Sequence, residues 1–263
     1  MPMSPRLLRP RASGASAIFA TDADARAYIA AVNAADGQPL EQATQLAIDA
    51  FVIGCKADGI WSAIKASCIL MGARTLSGAL TPLVGAAPTN FNFVSGDYNR
   101  KTGLVGNGST KYLDSNRSLN SDPQNNFHLS VYITTGGNNQ DYLGDFASGN
   151  GNLLQLFNST HFAYARGAGV IARTSQPGFF GAARSTSSAF TARGFGSDAT
   201  NTSATSVAPP SRNSFVFARN TPGGASSHSV ARLAFYSIGE SLSLAALDSR
   251  LTTLYNAIGA AIP

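Results

Sequence analysis

The sequence is poor in charge, with 13% Asp, Glu, Lys and Arg among 263 residues, and only two of these are glutamate, Glu41 and Glu240. Glycoside-cleaving enzymes flank the scissile bond with a pair of carboxylates. Glu41 falls in helix-like sequence and Glu240 in a turn, so neither glutamate sits on a strand that would present it across a groove. Asp141 and Asp145, four residues apart at the start of a strand-like run, are able to share one face, but read more simply as solvated edge and loop residues. No enzyme is expected.

Cysteine is equally scarce. Cys55 and Cys68 stand thirteen apart with no C-x-x-C pair, a spacing that suits neither a zinc site nor a disulfide framework, and both read as reduced core thiols. His128, His161 and His228 are isolated, without an H-x-x-H or H-E-x-x-H pattern. The Gly103–Gly108 run lacks the Lys-Ser/Thr ending of a phosphate loop, and no G-x-S-x-G elbow surrounds a serine. Apolar runs stay well short of the roughly 18 residues a membrane span needs. Nothing near the start reads as a secretory leader.

What is present divides near residue 75. Before it the chain is Ala-rich and helix-periodic. Thr21 is placed to cap a first helix that carries Asp22 and Asp24 in its opening turn and Tyr28, Ile29 and Val32 on its apolar face, with Asp36 and Gly37 as the stop. A second helix follows Pro39, its stripe running through Leu40, Ala43, Leu46, Ala47, Ala50 and Phe51, with Gly54 as the terminator. A third is expected from Asp58, with Ile60, Trp61, Ile64 and Cys68 buried and Gly72 closing it. Trp61 reads as core.

After residue 75, Gly, Ser, Asn and Thr dominate and apolar residues alternate with period two, the pattern of strands. The expected strands are 104–105, 111–113, 127–135, 142–146, 153–157, 162–166, 169–174, 178–184, 189–194, 214–219 and 229–237. In the run 127–135, Phe127, Leu129, Val131 and Ile133 alternate with His128, Ser130, Tyr132 and Thr134, so one face is expected to be wet. Residues 197–211 read as a long polar loop. Ser243 caps a final helix carrying Leu244, Leu247, Leu251, Leu254, Tyr255 and Ile258. Many short strands with no long helices between them imply two packed antiparallel sheets.

Two stretches carry a resemblance. Gly103-Leu-Val-Gly-Asn-Gly-Ser-Thr-Lys-Tyr-Leu-Asp114 resembles the early strand of concanavalin-like (laminin-G-like) jelly rolls. Ala231-Arg-Leu-Ala-Phe-Tyr-Ser-Ile-Gly-Glu-Ser-Leu-Ser-Leu-Ala-Ala-Leu-Asp248 looks like their closing strand and terminal helix. Arg6-Leu-Leu-Arg-Pro-Arg11, Asp58-Gly-Ile-Trp-Ser-Ala-Ile-Lys-Ala-Ser-Cys68 and Asn90-Phe-Asn-Phe-Val-Ser-Gly-Asp-Tyr-Asn99 are similar to tail-associated and fibre-like proteins of bacteriophages.

The fold class expected is mainly β: an antiparallel jelly-roll β-sandwich preceded by a small helical region and closed by a C-terminal helix. Residues 1–20 form an extended basic arm bearing Arg6, Arg9 and Arg11, residues 21–74 a small helical domain, and residues 75–263 the sandwich. The phage resemblance implies a virion location after assembly in the host cytoplasm. It also implies partners among other virion proteins, gripped by the arm and helices, and a homo-oligomer, by analogy a trimer.

The function expected is that of a tail-fibre or distal-tail component whose sandwich loops bind a host-surface glycan. The alternative is a purely structural decoration or cement protein on the capsid. No cofactor is expected. Calcium is the one candidate, because jelly rolls of this group sometimes hold it and Asn138, Asn139, Gln140 and Asp141 form the most oxygen-rich loop, although the same loop is an ordinary hairpin tip. Neither membrane insertion nor specific nucleic-acid binding is expected.

Overall fold

Alternating side chains and frequent turn residues resolve, in a computed structural model, into two antiparallel sheets with helices laid over one of them. The structure describes residues 17–137, 139–174 and 176–262. Arg6, Arg9 and Arg11 of the basic arm, and Asn138, lie outside the described residues.

In chain order the first elements are α1 (Ala23–Asp36), α2 (Gln42–Ala57), β1 (Ile64–Ile69), α3 (Leu76–Ala79), β2 (Thr89–Phe91), β3 (Tyr98–Asn99), β4 (Gly103–Val105) and β5 (Tyr112–Ser118). The long strands follow: β6 (Phe127–Thr135), β7 (Gln140–Ala147), β8 (Asn150–Phe157) and β9 (Thr160–Gly167). Then come β10 (Val170–Thr174), β11 (Gly178–Arg184), β12 (Phe190–Gly194) and β13 (Ser197–Asn201). The chain ends through β14 (Asn213–Val216), β15 (Arg219–Thr221), β16 (Gly224–Ser226), β17 (Arg232–Gly239) and α4 (Leu244–Ala261).

The first sheet runs β13-β12-β11-β6-β17-β4-β3, with β1 also paired to β17, and the second runs β10-β9-β8-β7-β14-β5-β2, with the β15–β16 hairpin attached beside β7. This is the mainly β, two-sheet architecture with a terminal helix that the alternation implied. One apolar core lies between the sheets, built on Leu129, Val131, Leu143, Leu154, Phe180 and Tyr236. A second lies on the other face of the first sheet, where Tyr132, Phe179 and Phe235 meet Ile29, Phe51, Val52, Leu251 and Ile258 of the helices. No helix among the described residues is long and apolar enough to cross a membrane.

That second core corrects the expectation of a wet face. α2 and α4 cover the outer side of the first sheet, so His128 and Ser130 are fully buried and Tyr132 packs against Tyr255, their ring centroids 4.9 Å apart and the planes tilted by 30°. The polar groups are satisfied among themselves. His128 Nδ1 lies 2.6 Å from the Glu240 carbonyl, which only accepts, so this nitrogen carries the proton and Nε2 accepts from Ser237 Oγ at 2.9 Å. Ser130 Oγ and Ser237 Oγ are 2.8 Å apart and close the chain. Buried polar groups survive in a core only when partnered in this way.

The third helix expected from Asp58 is instead a 3-10 turn, Trp61–Ala63, followed by β1, antiparallel to β17. Ala66 and Cys68 face one core and Ile64 and Ile69 the other. A strand buried on both faces has no polar side and reads like a buried helix. The first sheet thereby takes strands from both sides of residue 74. Trp61 is half-buried at the helical surface rather than in the core, its Nε1 donating to Asp24 Oδ2 at 3.0 Å.

Three local expectations also shift. Asp22, not Thr21, caps α1, its carboxylate accepting from the amides of Asp24 and Ala25, while Thr21 binds Asp49. Gly54 does not end α2: a Cβ there would meet the Arg250 side chain at 2.8 Å, so the glycine makes room for α4 to cross. Within the expected loop 197–211, residues Ser197–Asn201 pair with β12 as an edge strand. Cys55 and Cys68 are free and buried, and burial pushes both thiols up to about 12. Ser243 caps α4, accepting from the Ala246 amide.

Candidate functional site

The carboxylates singled out in the sequence are all engaged by cations. Glu41 accepts from Arg100 at 2.7 Å and meets Arg74 at 3.2 Å, and Glu240 meets Lys65 at 3.3 Å. Asp141 and Asp145 both lie on β7 and are both buried, not solvated at an edge as expected. Asp141 bonds Arg219 of β15. Burial pushes the Asp141 carboxyl up to about 6 against the pull of that guanidinium.

The oxygen-rich loop that drew attention to calcium is turned to other uses. Gln140 Oε1 accepts from the amides of Val230 and Ala231 and from Ser229, and Asn139 Oδ1 accepts from the Asn158 amide. No cluster of three or more His, Cys, Asp or Glu able to hold a metal ion occurs among the described residues. His161 sits within the sandwich core against Tyr142, Phe180 and Phe195, its Nε2 2.9 Å from the Tyr142 hydroxyl.

Asp145 leads to the site. At the end of the second sheet, β7, β8 and β9 place Asp145, Asn152 and Arg166 side by side, and the segment before β14 brings Arg212 against them. Asn152 is the hub: its Nδ2 donates to Asp145 Oδ1 at 2.9 Å and its Oδ1 accepts from the Arg166 amide at 3.0 Å. Arg212 Nη2 reaches Asp145 Oδ2 at 2.8 Å. Burial raises the Asp145 carboxyl above its ordinary range, opposed by the hydrogen bonds from Asn152 and Arg212.

These polar groups line a cleft of about 240 Å³ whose apolar wall is Val207, Pro209 and Pro210. The wall is pinned in place. The Val207 amide donates to the Arg166 carbonyl at 2.7 Å and the Ser206 amide to the Ser187 carbonyl at 2.8 Å, and the two prolines fix their own φ. A rigid apolar wall beside convergent donors and acceptors is the usual make-up of a small-ligand site.

Arg166 is the unusual member. It is 1% exposed with φ +61°, a left-handed conformation that costs a branched or long side chain about 1 kcal/mol or more. Its guanidinium lies 4.0 Å above the Phe127 ring and makes one long hydrogen bond, 3.3 Å to the Asp122 carbonyl, while Nε and Nη1 have no partner among the described residues. Arg212 Nε is also without one. Sequence reasoning named neither arginine, since each stands alone at a strand end and only strand pairing brings them to Asp145.

No protein-family profile matches the chain, and no curated protein matches it. Fold and cleft together define a β-sandwich with a helical layer and a preformed polar cleft at one end of the second sheet. Among solved structures, the chain is similar to the binding domain of botulinum neurotoxin serotype D, at 8% identity and a TM-score of 0.48 over 77% of this chain and 52% of that one. It is also similar to a mutant of Trypanosoma rangeli sialidase displaying trans-sialidase activity, at 10% identity and a TM-score of 0.44 over 81% and 39%. A third likeness is to the enzymatically active domain of bacteriophage CBA120 tailspike protein 2, at 12% identity and a TM-score of 0.34 over 65% and 30%. The chain spans about half the length of the first of these and less of the other two.

Proposed function

We propose that this chain is a glycan-binding module, serving on a phage particle as a tail-fibre or distal-tail component that touches the host surface without turning its ligand over. The observation that carries the binding reading is the cleft itself, lined by Asp145, Asn152 and Arg212 together with Val207, Pro209 and Pro210. A saccharide ring offers hydroxyls on its rim and C–H groups on its faces, and this pairing of polar floor with apolar wall answers both. The virion placement rests on the sequence resemblance of the segments at 6–11, 58–68 and 90–99. Binding of the purified chain to an array of bacterial-surface glycans, repeated with Asn152→Ala, tests the reading. Retention of glycans by the wild type and their loss in the variant is expected, and an array with no retained glycan refutes it.

One observation favours the alternative of a capsid decoration protein. Leu46 and Ile53, seven residues apart on one face of α2, are 45% and 44% exposed, and Phe19, whose amide donates to Gln45 of the same helix, is 43% exposed. An apolar strip of this kind suits a lattice contact. Adding the purified chain to particles that lack it, and measuring capsid heat stability, separates the two roles: a decoration protein restores stability, a tail adhesin does not.

A further inference from the structure

The charges around the cleft do not balance. Two carboxylates are buried there and each is already matched, Asp122 by Arg117 at 2.5 Å and Asp145 by Arg212 at 2.8 Å. Arg166 has no carboxylate partner among the described residues and stays protonated near neutrality, since burial brings it down only to about 10. Arg184, fully buried on β11, is held by the carbonyls of Ala165, Thr186 and Ala189 and leaves Nη2 unpartnered. Four guanidinium groups therefore face two carboxylates at one end of the sandwich. A buried cation without a counter-charge is costly to keep. Its field, little screened because the guanidinium itself is buried, reaches whatever enters the cleft.

We propose that the cleft takes an acidic saccharide, whose carboxylate lies against Arg212 with Arg166 beneath it as the fixed counter-charge. This deepens the glycan reading and rests on it. Arg212 gives only Nη2 to Asp145, so the rest of its guanidinium is left to donate to a ligand carboxylate, in the manner in which arginine commonly recognises planar anions. Asp145 offsets the charge of Arg212, so the net attraction for an anion comes from Arg166, while Arg212 supplies the directed donors. Val207, which also lines the cleft, is 37% exposed and uncharged, so a charge is introduced there without touching the buried polar network.

The test uses the full chain on an array of sialylated, uronate-bearing, sulfated and neutral glycans, with every carboxylated hit measured again after carboxyl reduction. Binding of carboxylated glycans that falls about ten- to a hundredfold on reduction supports the proposal, that being the range of a hydrogen-bonded charge. Sialylated and uronate-bearing arms report which acid sugar supplies the group.

Two variants read the charge without disturbing the buried network. Val207→Asn removes apolar wall surface and is expected to weaken acidic and neutral glycans alike, whereas Val207→Asp, of the same size as the Asn variant but charged, is expected to weaken a carboxylated ligand about tenfold more than Val207→Asn does and a neutral one no more than Val207→Asn does. Equal retention of neutral and acidic glycans, or equal effects of the two Val207 variants, overturns the acidic ligand and leaves the glycan module standing. Retention of no glycan overturns both.

Discussion

Protonation of two buried histidines is expected to weaken the fold above the ordinary range in which exposed carboxylates titrate. His128 and His161 are 0% and 1% exposed, and burial brings each imidazole down to about 4. In the unfolded chain each titrates near 6.5. The unfolded state therefore binds more protons between these values, so stability is complete above about pH 6.5 and is lost as pH falls toward 4. At pH 5 each histidine removes roughly 2 kcal/mol. Asp141 acts in the opposite sense: its folded value of about 6 lies above its unfolded value of 3.8, so the fold gains on acidification through that window. That gain is roughly 1 kcal/mol at pH 5. For these three groups the net expectation is a loss of roughly 3 kcal/mol between about pH 7.5 and about pH 5, a large fraction of an ordinary domain's stability, while burial raises Asp145 and lowers His228 so that these two act in opposite directions beside them. Urea denaturation at the two pH values, analysed at constant m, measures it. His128→Asn keeps a donor where Nδ1 meets the Glu240 carbonyl but cannot titrate. Although less stable at neutral pH, the variant is expected to lose roughly 2 kcal/mol less than the wild type on acidification. Identical losses in the two proteins, or a flat wild-type profile, refute the reasoning.

Further outcomes follow from packing. Gly144 has φ +134° and a Cβ there would lie 1.8 Å from the Asn152 carbonyl, so Gly144→Ala is expected to cost more than about 2 kcal/mol and to open the β7–β8 ladder beneath the cleft, read by a lowered Tm and by faster amide exchange in β8. Leu251, 2% exposed on the inner face of α4, is expected to cost about 3 kcal/mol as Leu251→Ala in the same denaturation assay, because the helical layer encloses the second core. Calcium and a chelator are expected to give melting temperatures within about 1 °C of each other, since the Asp141 carboxylate is paired with Arg219 and the Gln140 carbonyl is occupied by protein donors; a rise with calcium of several degrees would show a bound ion.

Elements whose chemistry is local were legible before the structure. The runs 127–135 and 178–184 match β6 and β11, because Phe127 to Ile133 alternate cleanly and Gly136 and Gly178 punctuate the strands. Ser243 marks the start of α4 because a capping hydroxyl declares itself within three residues. What covers a face is a non-local fact, and here the reading failed. The alternation in β6 gave the right faces for His128 and Ser130, but a polar face is buried without penalty once Ser237 and the Glu240 carbonyl meet it, and those partners lie more than a hundred residues away. The cleft was hidden for the same reason. Asp145 and Arg212 are 67 residues apart, and Arg166 reaches them only because β7, β8 and β9 register Asp145 against Asn152 and Asn152 against Ala165. Alternation alone would let Arg166 point either way. Its left-handed backbone, adopted where Asn152 Oδ1 accepts the Arg166 amide, fixes the side chain inside the sandwich, and a site of this kind becomes visible only when strand register is known.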